Sequence, residues 1–441
     1  MRYDLPAGMQ ETEIPRWPVG AGSIPVRLPD GTPAALPVLK GVNVVTFGTV
    51  GTGKTKSFTL PAARILLQED PRMLGVFFEI KRSFIDCFMQ AGDKVFAHDP
   101  NTVSRDNLFV PNLILEIRQA RDPEAEMMEF SEFLFADLLS GANQNRAWVE
   151  SARNTFIGVL RVIVDCYPGE STTNRTLVNA LRQMSVKDLM DYLAKHPRNR
   201  SVLEDWGYDP DRPQEYKPTR RAADIRFFLN QALQRFSGSF AMDGGDTIHD
   251  WLEGKYGRNL FFLYDLVSAQ ISRSFFLYYL KKIKDYKMSN TSRSLPPVLM
   301  VLDEIDKMAD GGKAADWGLF QAANLGRECG LQILLTTQSM ENLYGMAPEF
   351  NTHIAMGGLA GFPYLISFRT GDPTTISVLQ TLYGSQYTRH VARPASRYGE
   401  PTVRSEWMPI VTDADLASLG TGSCIVKVLS HRPQEVYSHY G

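Results

Sequence analysis

Gly48-Thr-Val-Gly-Thr-Gly-Lys-Thr55 has the spacing Gly-x-x-x-x-Gly-Lys-Thr, which brings backbone N–H groups and one ammonium to bear on phosphate oxygens. The apolar run Val44–Phe47 precedes it and a helix-compatible stretch starts near Lys54, which is the strand–loop–helix context such a loop requires. Gly48, Gly51 and Gly53 permit the positive φ angles that turn successive N–H groups inward, with Thr49, Val50, Thr52 and Lys56 completing the cradle. Lys54 is expected to reach the β- and γ-phosphates of a nucleoside triphosphate such as ATP, and the Thr55 hydroxyl to ligate Mg²⁺.

A second apolar run, Val298–Leu302, ends in Asp303-Glu304. An acidic pair at the end of a buried strand can divide two tasks: Asp303 holds the Mg²⁺ shell and Glu304 polarises the attacking water. The strand candidate Gln332–Thr337 ends in Gln338, placed to sense a γ-phosphate. Before it, the helix candidate Leu319–Gly326 closes on Arg327, a cation that could reach a neighbouring subunit's nucleotide or simply complement the helix dipole.

These residues need a sheet to hold them. Strands are expected at Val44–Phe47, Gly75–Phe78, Lys94–Ala97, Leu260–Tyr264, Val298–Leu302 and Leu331–Thr336, alternating with amphipathic stretches as in an α/β domain with a mainly parallel sheet. From about 145 to 255 the alternation gives way to helical periodicity, with Trp148, Ala152, Phe156, Val159, Ile163 and Tyr167 three or four residues apart. Thr173-Asn174 suits the N-cap of a further helix. The division is therefore a Pro/Gly-rich lead-in over 1–40, a nucleotide-binding domain over 41–144 and 256–441, and an all-helical insertion over 145–255.

Composition excludes several classes. The 441 residues are 44% hydrophobic and 22% charged, values of a folded globular chain rather than a disordered or fibrous one. Lys+Arg of 47 against Asp+Glu of 49 gives a net charge of −2, so any polyanion must meet a local basic lining. No apolar run approaches the ~18 residues of a spanning helix, and Met1–Pro6 opens no signal peptide, which reads as a cytoplasmic chain. Cys87, Cys166, Cys329 and Cys424 stand singly and are expected as reduced core residues; the histidines lack zinc spacing.

Taken together, the chain from about 40 to 441 resembles the type IV secretion coupling proteins, RecA-like ATPases of conjugative DNA transfer. Besides the phosphate loop, the resemblance rests on Val76–Lys81 with Gly92–Pro100, Trp148–Arg153, Asn174–Leu177, Gly326–Gly330, Thr337–Ser339, Leu343–Gly345, Phe368–Asp372 and Leu382–Gly384. It implies a RecA-like P-loop NTPase with an inserted all-α domain, ATP and Mg²⁺ as cofactors, and a homohexamer that moves DNA, single-stranded and without sequence preference. It also implies a relaxase or relaxosome and secretion-channel proteins as partners, and adds weight to Lys54, Thr55, Asp303, Glu304, Arg327 and Gln338. Two departures stand out. The family has Gly-Glu after the lysine, where this chain has Arg82-Ser83. Familiar members begin with transmembrane helices, so this chain is expected to reach the inner face of the membrane only through a partner protein.

The cations Arg220, Arg221, Arg226, Arg235, Lys281, Lys282 and Lys284 are candidates for phosphate contacts along a channel, against the alternative of a solvated helix face. Three functions compete: a DNA translocase serving secretion or acting as a soluble pump outside it, a receptor ATPase for protein effectors, and a nucleotide-gated assembly module.

Overall fold

The computed structural model describes residues 22–141, 144–169, 171–217, 219–290, 295–309, 317–345, 359–392, 402–429 and 431–438. The strands are β1 (Ser23–Arg27), β2 (Pro33–Pro37), β3 (Val44–Phe47), β4 (Leu74–Glu79), β5 (Lys94–Ala97), β6 (Asn259–Leu263), β7 (Val298–Asp303), β8 (Leu331–Thr337), β9 (Tyr364–Ser367), β10 (Ser385–Ala392), β11 (Thr402–Pro409), β12 (Ser423–Val428) and β13 (Gln434–Ser438). Eleven of them form one sheet in the order β2-β1-β13-β12-β9-β3-β8-β7-β4-β6-β5. From β9 to β5 all neighbours are parallel; β12, β13, β1 and β2 extend it antiparallel.

The parallel strands are apolar at nearly every position because both faces are covered. Odd and even residues sort to opposite sides: Val45, Phe47, Val76, Phe78 and Met300 join one core, while Val44, Phe77, Leu299 and Val301 join the other. The second face is closed by helices Leu60–Glu69 and Ser83–Phe88. The first is closed by the long helix Ala269–Ser289 and by helices lying between β5 and β6. Phe96 of β5 touches both Phe240 and Phe276, so sheet and helices share one core.

All six expected strands are present, and every described element of regular structure between β5 and β6 is helical. The helical run opens at Leu113, earlier than the periodicity indicates. Helix Pro123–Gly141 packs on helix Arg146–Arg161 through Phe130–Phe156 and the Glu124–Arg161 ion pair. Met127, Phe130, Phe133, Leu134 and Phe135 bury more than one side of it, leaving no single apolar stripe to read. Thr173 caps helix Asn174–Gln183 in a reciprocal box with Thr176. In the lead-in, β1 and β2 form a hairpin that joins the sheet through β13.

Two expectations are corrected. Cys87 and Cys166 are exposed rather than core residues, and only Cys424 is buried. Most of the proposed channel cations are engaged internally. Lys282 lies beside Glu116 and Glu126, Lys281 bonds Glu129 and Asp285, and Lys284 is buried against Gln321 and Asp285. Arg235 bonds Asp137 and Ser274, while Arg226 donates to the carbonyls of Leu181 and Met184. Buried apolar surroundings make an unpaired cation costly, so these residues stabilise the helical packing. Arg221 pairs with Asp205 and lies over Trp148. Arg220 alone among the seven is exposed without a side-chain partner among the described residues.

Candidate functional site

Parallel strands bring their C-terminal ends to one edge, where connecting loops converge. Phe47 of β3 pairs with Thr337 of β8, and Asp303 of β7 pairs with Thr336. The phosphate loop, Gln338 and the acidic pair therefore leave three neighbouring strands at one level. With ~4.8 Å between strands, β8 sets the spacing between loop and acid.

The loop after β3 has the left-handed turns its glycines permit: φ is 78° at Gly51 and 99° at Gly53. Thr49 N donates to the Arg369 carbonyl, and Gly422 N donates to the Thr52 carbonyl, so both limbs are tied to C-terminal segments. Gly48 has φ 150°, and a Cβ there would lie 2.7 Å from the Phe368 Cβ. Gly48→Ala is expected to cost about 2 kcal/mol of stability, read as a lowered denaturation midpoint.

The helix after the loop opens with a wide turn, Thr55–Thr59, and runs on as Leu60–Glu69. Its start is pinned to β8 by the Thr59–Thr336 hydroxyl pair at 3.2 Å. Lys54 is buried and donates to the carbonyls of Gly48 at 2.5 Å and Thr49 at 3.0 Å. Burial lowers its pKa, opposed by Glu304 and Asp303. The Thr55 hydroxyl donates to Asp303 at 3.2–3.3 Å. Burial, with the charge of Glu304, pushes the Asp303 carboxyl up to about 6. A hydroxyl and a crowded carboxylate converging beside a phosphate loop form a donor set suited to a hard divalent cation. Thr55 and Asp303 thus fit Mg²⁺, and Gly48–Lys56 fit a nucleotide's phosphates.

Glu304 follows Asp303 with φ 56°, a rare conformation for a residue with a side chain. Its N–H donates to the Thr336 carbonyl, and its carboxylate meets Lys81 Nζ at 3.5 Å. Gln338 is half-buried at the end of β8, level with Gly48. Arg327 lies at the other edge, exposed in the turn Gly326–Cys329 before β8 and beside Gly41, which precedes β3. At about 3.3 Å per residue the seven residues of β8 span roughly 20 Å, so Arg327 cannot reach the phosphate loop of the same chain.

Three further residues, Glu79, Lys81 and Arg82, were not among the expected site residues. Glu79 ends β4 with its carboxylate buried, accepting from Phe84 N and Ile85 N at 2.8 Å each. Desolvation pushes its carboxyl up to about 7 despite those bonds. Lys81 and Arg82 form the turn that follows. Arg82 has φ 60°, and its guanidinium donates to the Thr102 carbonyl at 2.9 Å. The sequence signals for this corner are the acidic end of an apolar strand and the resemblance carried by Val76–Lys81, neither of which places Lys81 beside Glu304.

A family model described as the type IV secretion-system coupling protein DNA-binding domain matches residues 34–433. The chain belongs to the type IV secretion coupling-protein family. Among solved structures, the bacterial conjugative coupling protein TrwBΔN70 in its unbound form has a TM-score of 0.69 at 16% identity, covering 92% of this chain and 88% of that one. TrwB in complex with ADP and Mg²⁺ gives 0.66 at 16% identity over 92% and 87%. VirB4 of Thermoanaerobacter pseudethanolicus gives 0.55 at 11% identity over 95% and 96%. At such identities the likeness is one of fold, a RecA-like sheet with helices. No curated protein sequence matches the chain. As a coupling-protein relative it carries, among the described residues, no helix long and apolar enough to cross a membrane.

Proposed function

We propose that this coupling-protein relative is an ATP-driven DNA translocase that works as a ring of identical subunits, feeding DNA from a relaxosome to a secretion channel. The observation that carries the reading is the split between the two sheet edges: Lys54, Thr55, Asp303 and Glu304 meet at one, and Arg327 stands at the other. A head-to-tail ring brings the second edge of one copy against the first edge of the next. That TrwB, of like fold, has been solved with ADP and Mg²⁺ and with non-hydrolysable ATP and GTP analogues supports the nucleotide assignment.

In this reading Mg²⁺-bound ATP supplies the transferable phosphoryl group and its hydrolysis energy. The N–H groups of the loop's glycine-bearing limb, Gly51, Thr52 and Gly53, hold the phosphate oxygens while that of Thr49 stays on Arg369; Lys54 neutralises the phosphate charge, and Thr55 with Asp303 holds the metal. Glu304 orients water for attack. Gln338, level with Gly48, reports the phosphate's presence to β8, and Arg327 of one copy stabilises charge in the neighbour's site.

Steady-state ATP hydrolysis measured with and without single- and double-stranded DNA across a range of salt tests it, with DNA raising the rate. A rate indifferent to DNA at every salt concentration overturns the translocase. Arg327→Ala is expected to lose turnover alone and to regain part of it when mixed with Lys54→Ala, because each restores what its neighbour lacks. Absence of recovery places Arg327 outside the shared site.

A second reading, a receptor for protein cargo, draws on a different observation. The helices leave a cleft of about 510 Å³ lined by Asn145, Trp148, Arg220, Arg221, Asp224 and two phenylalanines, Phe227 and Phe228. Copurification of a protein with hydrolysis unresponsive to DNA would favour it.

A further inference from the structure

The Lys81 corner lies on the opposite side of the acidic pair from the phosphate loop. β4 runs beside β7, and the pairing of Phe78 with Leu302 brings Glu79 level with Asp303 and the following turn level with Glu304. Among the described residues, Lys81 makes the only side-chain hydrogen bond or ion pair to the Glu304 carboxylate, and Glu304 the only one to Lys81, with Lys54 and Asp303 acting on the pair through charge at longer range. Costly backbone lies on both sides of the contact, at Arg82, the neighbour of Lys81, with φ 60°, and at Glu304 itself with φ 56°. Such conformations persist only where surrounding bonds fix them. Here those bonds are visible: Glu79 clasps Phe84 N and Ile85 N behind the turn, Arg82 bonds Thr102 in front of it, and Glu304 N bonds Thr336.

We infer that Lys81 is a positioning residue for Glu304: its ammonium, held by the braced turn, fixes the Glu304 side chain where it can orient water. This deepens the ATPase reading and rests on it. A lysine that is 64% exposed contributes little to stability through one ion pair at 3.5 Å, so the built turn around it calls for another explanation. A direct phosphate ligand is the competing role, and it makes a different prediction about binding.

The experiment measures kcat and KM for ATP in wild type, Lys81→Ala and Lys81→Arg, and affinity for a non-hydrolysable ATP analogue in Glu304→Gln and in Glu304→Gln with Lys81→Ala. The inference expects kcat to fall ten- to hundredfold in Lys81→Ala with KM within about twofold, partial recovery in Lys81→Arg, and equal analogue affinity in the two Glu304→Gln proteins. Unchanged kcat in Lys81→Ala beside an active wild type overturns it while leaving the ATPase intact. Weakened analogue binding overturns it in favour of a phosphate ligand. An inactive wild type removes the ATPase reading and this inference together.

Discussion

Lys54→Ala is expected to weaken nucleotide affinity by about a hundredfold or more while the chain still folds. The ammonium is buried at the mouth of the loop and spends its hydrogen bonds on the Gly48 and Thr49 carbonyls, a loop closed upon itself. A phosphate oxygen offers it a charged acceptor in place of a neutral one, and charge-assisted bonds in partly buried sites contribute about 1.5–3 kcal/mol each. Alanine removes that difference and leaves the two carbonyls to water. Titration with a fluorescent nucleotide measures the loss, and a melting transition confirms the fold. Wild-type affinity in this variant would mean that the loop does not bind phosphate.

Glu304→Gln makes the complementary case. The amide keeps the shape of the side chain and leaves the backbone N–H of residue 304 on the Thr336 carbonyl, yet cannot accept a proton. General-base losses of this kind are about 10²–10⁴-fold, so hydrolysis is expected to fall by at least about a hundredfold with nucleotide affinity within about twofold of wild type. The variant should accumulate as a nucleotide-loaded ring, visible as a shift in sedimentation on adding ATP. Hydrolysis retained within tenfold would assign the base elsewhere.

What could be read from the sequence follows the distance over which each feature is determined. The phosphate loop is a local device whose glycines sit where left-handed angles are needed, so eight consecutive residues suffice to recognise it. Asp303 and Glu304 were legible because a buried strand must end where its polar residues can reach solvent or ligand. The Lys81–Glu304 contact was not, since the two are 223 positions apart and meet only through the register of β4 on β7. The fates of Lys281, Lys282 and Arg235 were hidden for a related reason. A cation on a helix looks solvated until the carboxylate facing it is known, and Glu126, Glu129 and Asp137 come from a helix that shows no single apolar stripe. The antiparallel strands β12 and β13 went unanticipated because their neighbours in the sheet include β1 at the far end of the chain.

That last pairing bears on how the protein is made. The β1–β2 hairpin has one place in the sheet, against β13, and β13 is the last of these strands to leave the ribosome. The hairpin must therefore wait, its edge unpaired, until β13 has been made. The phosphate loop waits as well, because the segment at Arg369 that accepts from Thr49 and the turn whose Gly422 N–H donates to Thr52 are both made long after it. Contacts of such long sequence separation make for slow closure, and an exposed strand edge in the interval is a site for mispairing. Nascent chains of this protein should accordingly be clients of chaperones that shield strand edges, and nucleotide binding should appear only once the segments at Arg369 and Gly422 have been made.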